Sequence, residues 1–246
     1  VPFDVVLQRG QSYFASAAST TSFTGSTISA SRPVIVSNGS RCTNVPDGVY
    51  ACDHLFEVAQ PIQSWGKSVP VANLPQRPSG SIYRIVASED SSTITQDGVM
   101  IVTLNKGMFF DTQMLDGSYI FESDKPFFVA QFMTGTTAQG AVGGDPAMGN
   151  MSPSEQYLKK YTFATAGGDQ FDTNYLSIIA SNADVGDLEF DGQPVPSATF
   201  TQIGSSGFSS AVISLSQGTH TTESLINGPG ITVIGFGNAD SYIYPG

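Results

Sequence analysis

The 246-residue chain carries 10 Lys and Arg against 21 Asp and Glu, a formal charge of −11, so it lacks the basic face that counterion release on DNA or RNA requires. Hydrophobic residues make up 40% and charged residues only 13%, enough for a large core and far from the composition of a disordered chain. No apolar run approaches the roughly 20 residues of a bilayer-spanning helix, and Val1 does not open a charged-then-apolar leader, so a soluble segment without its targeting signal and without membrane insertion is expected.

In chain order, Val5-Val6-Leu7 and Val34-Ile35-Val36 open a series of short apolar runs bounded by Gly, Pro, Asn, Asp or Ser. Cys42 and Cys52 follow, ten positions apart, with the turn residues Pro46-Asp47-Gly48 between them. That turn can bring the two cysteines together in a small disulfide-closed loop, whereas a zinc site would need four ligands and only His54 lies nearby. A disulfide would place the protein in an oxidising compartment, extracellular, periplasmic or on a cell surface. Asp53 to Gln60 could form about two helical turns. Further β-branched and aromatic runs lie at 82–86, 100–104, 127–130, 176–179, 211–215 and 231–234, each bounded by turn residues. Ser152-Pro153-Ser154-Glu155 has capping-box spacing with Pro at the first helical position, which predicts a short helix through Leu158. The fold class is therefore all-β, with one or two short helices in the connections.

An internal repeat runs through these strands. Val5-x-Leu7-x-Arg9-Gly10 recurs as Val102-x-Leu104-x-Lys106-Gly107 and as Ile213-x-Leu215-x-Gln217-Gly218, and an Asp-Gly turn falls at both 97–98 and 191–192. This predicts tandem β-sandwich modules at 65–135 and 157–246, a Gly/Pro-rich connection at 136–156, and a partial β module plus disulfide loop at 1–64. The partial module would leave an apolar edge at Val5, Leu7, Val34 and Val36, to be covered by another module or by a second copy in a dimer or trimer.

From Phe23 to Gly39, the order Thr24-Gly25-Ser26…Ser31-Arg32-Pro33-Val34-Ile35-Val36-Ser37 leads to the cysteine pair, Cys52-Asp53-His54-Leu55-Phe56-Glu57, and Pro61-Ile62-Gln63-Ser64-Trp65-Gly66. This series closely resembles the N-terminal domain of IgGFc-binding proteins. Asp145-Pro146, Pro153-Ser154-Glu155-Gln156-Tyr157, Leu188-Glu189-Phe190-Asp191-Gly192 and Gly235-Phe236 extend the resemblance over nearly the whole chain. It departs at Glu57-Val58, where the family has Glu-Gln. The resemblance implies an extracellular, mucus- or surface-associated binding protein, with relatives at the ends of large microbial adhesins.

Candidate chemistry is sparse. No Gly-x-Ser-x-Gly elbow is present, and the two histidines are His54, beside the cysteine loop, and His220, which takes the place of Phe109 in the repeat. His54 is a candidate ligand-binding group, and a buried imidazole bonded to backbone near the bridge is favoured for it over a catalytic role. Trp65 can stack on a sugar face or fill the junction between loop and module. Asp169 and Asp172, with Asp184, Asp187 and Glu189, lie at spacings where turns could hold calcium, although such residues commonly bond their own backbone. Gly143-Gly144-Asp145-Pro146 resembles the self-cleaving Gly-Asp-Pro-His sequence of von Willebrand D domains, but Ala147 replaces the His and no cleavage is expected. Asn38-Gly39-Ser40 and Asn150-Met151-Ser152 fit the N-glycosylation sequon. The expected function is recognition or adhesion towards a surface glycoprotein or glycan, with no catalytic residue and no cofactor beyond optional calcium. His54, Trp65, Asp145, Asp169 and Asp172 are the candidate ligand-binding residues. A structural spacer is the alternative, and a glycan-active enzyme a more distant one.

Overall fold

The computed structural model describes residues 2–18, 21–168 and 170–246. Among them eighteen strands follow in order. The first nine are β1 (Ser37–Thr43), β2 (Asp53–Val58), β3 (Gly66–Val71), β4 (Ser81–Ala87), β5 (Ser92–Gln96), β6 (Val99–Leu104), β7 (Phe109–Asp111), β8 (Tyr119–Met133) and β9 (Met148–Met151). Then come β10 (Lys160–Ala164), β11 (Phe171–Ser181), β12 (Leu188–Phe190), β13 (Gln193–Pro194), β14 (Thr201–Gln202), β15 (Phe208–Leu215), β16 (Thr219–Ser224), β17 (Gly230–Gly237) and β18 (Asp240–Pro245). All strand pairings among the described residues are antiparallel, and the protein is all-β, built as several sheets.

Both Asp-Gly signals make tight hairpins. Asp97 and Gly98 join β5 to β6 with φ of 50° and 79°, and Asp191 and Gly192 join β12 to β13 with φ of 48° and 71°. Two consecutive positive φ values are what a two-residue hairpin of matching twist demands.

Three sheets stack. The first has the order β6-β5-β8-β4-β7, with β3 and β9 also on the long strand β8; the second is β14-β15-β11-β17-β18; the third is β10-β16-β12-β13. Alternate residues of the second sheet enter different cores. Tyr175, Ile234, Phe236 and Ile243 pack with Val69, Ile85, Phe121 and Val129 of the first sheet. Leu176, Ile178, Ile231 and Val233 pack with Tyr161, Phe163 and Leu188 of the third. A sheet covered on both faces needs apolar residues at consecutive positions, which explains the unbroken runs of β11 and β17.

This stack revises several sequence expectations. Cores of the proposed 65–135 and 157–246 modules are shared through β17 and β18, so the architecture is one stack rather than two sandwiches in tandem. Val102 lies on β6 opposite Ile94 at the border of the first sheet, whereas Ile213 lies on β15 opposite Leu176 next to the centre of the second. The repeated string marks a strand running into a Gly turn, a local feature that does not choose a neighbour. Residues 53–60 hold strand β2, not helix, because Leu55 and its neighbours pair with β1. The expected capping-box helix is a single 3₁₀ turn at Ser154–Gln156, entered by Pro153 without a side-chain cap.

The partial module expected at 1–64 is likewise different. The only strands among its described residues are β1 and β2, while Val5-Val6-Leu7 and Val34-Ile35-Val36 are not in strands and Val5, Leu7, Val34 and Ile35 are exposed. The root of this segment is fastened to the first sheet. Arg84 bonds both carboxylate oxygens of Asp111 at 2.7 Å and the Thr24 hydroxyl at 3.1 Å. Gly25 and Gly107 touch through their backbones, so that a Cβ on Gly25 would fall 1.7 Å from the Gly107 carbonyl oxygen.

Candidate functional site

One end of the stack carries a crown of three irregular segments: the cysteine loop, residues 134–146 and the turn between β17 and β18. Its lock is Arg77, fully buried in a chain with few charges. The guanidinium donates through Nε to the Thr134 carbonyl at 2.9 Å, through Nη1 to the carbonyls of Gln76 at 3.0 Å and Val142 at 3.3 Å, and through Nη2 to Gly143 at 2.9 Å. Burial lowers its pKa to about 10, with the Asp145 carboxylate acting in the opposite direction, so it remains a cation at neutral pH. The planar fork suits this task, because one side chain can close a loop by bonding several carbonyls at once. Gly144 has φ of +67°, and a Cβ there would lie 2.2 Å from Ser241 Oγ and 2.8 Å from the Arg77 guanidinium.

The cysteine loop rests on this base. Cys42 and Cys52 are joined in a disulfide with their Cα atoms 5.1 Å apart. The Gly135 amide donates to the Val45 carbonyl at 3.0 Å, and the Thr137 hydroxyl donates to the Tyr50 carbonyl at 2.6 Å. Tyr50 and Val142 project from the crown, largely exposed.

Asp145 is buried here. Its amide donates to Ser241 Oγ at 3.0 Å, and its Oδ1 is enclosed without a hydrogen-bond partner among the described residues. Burial, then the charges of Asp53 and Asp240, push its pKa up, while Arg77 pulls it down. His54 is exposed, with Nδ1 3.3 Å from Asp53 Oδ1. The crown thus brings Asp145 into the field of Asp53, which neighbours His54.

The other nominated residues lie apart from the lock. Trp65 packs on Phe128 with centroids 5.4 Å apart and donates from Nε1 to the Gln60 carbonyl at 3.4 Å, a junction role. Asp172 is exposed and accepts a bond from Thr173 Oγ1 at 3.2 Å; Asp169 lies outside the described residues. The Asp187 carboxylate is engaged by the Leu225 and Ile226 amides at 2.8 and 2.9 Å, and Asp184 by the Asn227 side chain, so these turns use their carboxylates internally. Among the described residues no cluster of three or more His, Cys, Asp or Glu is placed to hold a metal ion. Asn150 of the second sequon is buried, with its amide nitrogen donating to Glu57 Oε2 and the Val58 carbonyl. Asn38, in contrast, is exposed on β1.

Sequence reasoning missed two residues. Arg77 sits in Pro75-Gln76-Arg77-Pro78, where nothing local distinguishes it from a surface arginine. His220 takes the place of Phe109 in the repeat, which points away from a polar role, yet its Nδ1 lies 2.7 Å from Asp191 Oδ2 and its Nε2 3.0 Å from the Ser216 carbonyl, with Phe190 stacked on the ring. The signal was the Asp-Gly turn: Asp191 also accepts from the Thr221 amide at 2.8 Å, tying the turn to β16.

The family model described as IgGFc binding protein matches residues 1–235, and the chain belongs to that family. No curated protein matches the chain. Among solved structures it is similar to a lectin from Pleurotus ostreatus in complex with GalNAc, at 13% identity over 72% of this chain and 76% of that one, with a TM-score of 0.21. It is also similar to an anti-sigma factor domain-containing protein from Clostridium clariflavum, at 12% identity over 72% and 81%, with a TM-score of 0.22. At such scores neither likeness says anything about the ligand.

Proposed function

We propose that this chain is an extracellular recognition domain that binds a surface glycoprotein or its glycan through the crown, without catalysing a reaction. The observation that carries the reading is the Arg77 lock, which spends a fully buried cation on holding exposed loops in one shape. Loops fixed on a rigid β scaffold form a preorganised recognition surface, so less ordering entropy is lost on binding. Tyr50 supplies an exposed aromatic ring, Val142 an apolar contact, and His54 with Asp53, directly after the cysteine loop, a polar pair. Family membership supports a glycoprotein as partner, and the disulfide supports an oxidising, extracellular setting. The non-catalytic reading is supported by His220, both of whose ring nitrogens are engaged by Asp191 and the Ser216 carbonyl.

A glycan and glycoprotein array probed with the wild-type chain and with Tyr50→Ala tests this. Specific hits that weaken in the variant, with an unchanged melting temperature, are expected. Uniform silence from a folded protein would favour the spacer alternative, and sugar release from a mucin panel would make the chain an enzyme.

A further inference from the structure

Away from the crown, the second core is open to solvent. A cleft of about 640 Å³ lies between β10, the border strand of the third sheet, and β18, the border strand of the second. Tyr161, Phe163, Phe171, Tyr242 and Tyr244 line it. Four of them, Tyr161, Phe163, Tyr242 and Tyr244, belong to or pack on the second core, so the cleft is an unclosed side of that core.

Its chemistry selects an apolar occupant. Tyr161 donates its hydroxyl to the Pro229 carbonyl at 2.9 Å, Tyr242 to Asn174 Oδ1 at 2.6 Å, and Tyr244 to the Ala164 carbonyl. With the phenol protons committed, the rings offer mainly carbon to the cleft. A sugar would leave hydroxyls poorly paired there, whereas aliphatic and aromatic side chains would be desolvated at little polar cost.

The same chain carries an exposed apolar segment of that kind. Residues 2–18 form an arm without strand or helix that doubles back where the Gln11 amide donates to the Gln8 carbonyl, bringing the Phe3 ring edge-on to Tyr13 at 6.1 Å between centroids, and Phe3, Val5, Val6, Leu7 and Phe14 are all exposed. Phe3, Val5 and Leu7 are spaced two apart and would share one face of a strand. The string Val5-x-Leu7-x-Arg9-Gly10 has the pattern that forms paired strand at β6 and β15 but has no strand partner in the arm. Asp4 and Arg9 cancel, so the arm is neutral against a chain of −11 and meets no net repulsion from the acidic body.

We propose that the arm of one copy inserts as a strand into the aromatic cleft of a second copy, laying Phe3, Val5 and Leu7 on Tyr161, Phe163, Tyr242 and Tyr244. The second copy is favoured over the arm's own cleft because Phe3, Val5 and Leu7 stand exposed while the cleft, lined by residues 161–166, 171, 242 and 244–246 alone, holds no described residue of its own arm.

Sedimentation equilibrium of the full chain over a concentration series is the primary test, together with Leu7→Asp. Expected are a mass rising from 25.9 kDa to at least twice that, monomeric Leu7→Asp with an unchanged melting temperature, and Val5 to Leu7 amides whose exchange slows as wild-type concentration rises. A photoreactive benzoylphenylalanine at position 3 should crosslink to residues 161–166 or 242–245 of another copy. A wild-type chain that stays at 25.9 kDa throughout overturns the proposal, including when its arm amides are protected, since the arm then sits on its own molecule. Association unaffected by Leu7→Asp, or crosslinks confined to other surfaces, also overturns it.

Discussion

The guanidinium carbon of Arg77 lies 4.5 Å from the centroid of the Phe236 ring, which places a crown residue directly on the central sheet. Phe236 is itself buried among the side chains of the first core. The cation therefore links loop order to core packing, with a cation–π contact added to its carbonyl bonds.

Removal of that cation should cost the protein heavily. Arg77→Met keeps much of the volume but leaves the carbonyls of Gln76, Thr134, Val142 and Gly143 without their donor, a loss on the order of 3 kcal/mol. Urea unfolding should show a lower midpoint, and limited proteolysis should cut between residues 134 and 145. A variant that melts and resists protease like wild type would remove the lock from the account.

Reduction of the Cys42–Cys52 bridge releases a short loop, and loop-closure entropy gives a stabilisation of about 2–3 kcal/mol for a span of this size. Thermal melts with and without reductant should differ accordingly, and intact mass of the unreduced protein should show no free thiol.

Stability should also vary with pH through His220 and Asp191. Burial alone would lower the His220 pKa, but the Asp191 bond, the Ser216 carbonyl and the Asp191 charge together raise it. Burial opposes the Asp191 carboxylate too, yet the His220 and Thr221 bonds leave its pKa lowered. The raised His220 contributes fully below its unfolded value near 6.5, and that contribution fades as pH rises through the folded value. Asp191 contributes above its unfolded value near 3.9 and loses that contribution as pH falls through its depressed one. The pair is therefore most stabilising between those unfolded values. Urea midpoints from pH 4.5 to 9 should fall on the alkaline side, and His220→Gln should flatten that part of the profile.

Gly235 faces Tyr242 across the β17–β18 ladder, and a Cβ there would come within 2.1 Å of the ring. Gly235→Ala must displace the Tyr242 ring or the neighbouring Asn174, an overpacking cost of roughly 1–3 kcal/mol. Denaturant melts would measure it, and an unchanged midpoint would mean that the ring moves freely.

The all-β character, both Asp-Gly hairpins and the bridge were legible because each depends on local chemistry: alternating apolar residues, a demand for positive φ, and two cysteines flanking a turn. Residues 53–60 were misread because Leu55, Phe56 and Val58 fit a short helix as well as a strand, and only pairing with β1 decides. The stacking order was hidden because the runs at 176–179 and 231–234 announce burial on both faces without naming the covering sheets. Arg77 was invisible for a related reason: its partners are carbonyls spread from residue 76 to 143, and a carbonyl leaves no mark in the sequence.

A sheet that contributes side chains to two cores has a consequence for how the molecule comes apart. Among the described residues the outer layers share no core cluster except through the residues of β11, β17 and β18, so loss of that middle layer strips both at once. Melting should therefore be a single cooperative event, with calorimetric and van't Hoff enthalpies in agreement. A fragment ending near residue 156 would expose Val69, Ile85 and Val129 where Ile234 and Phe236 had stood, and such a half should collect in aggregates rather than persist as a smaller domain.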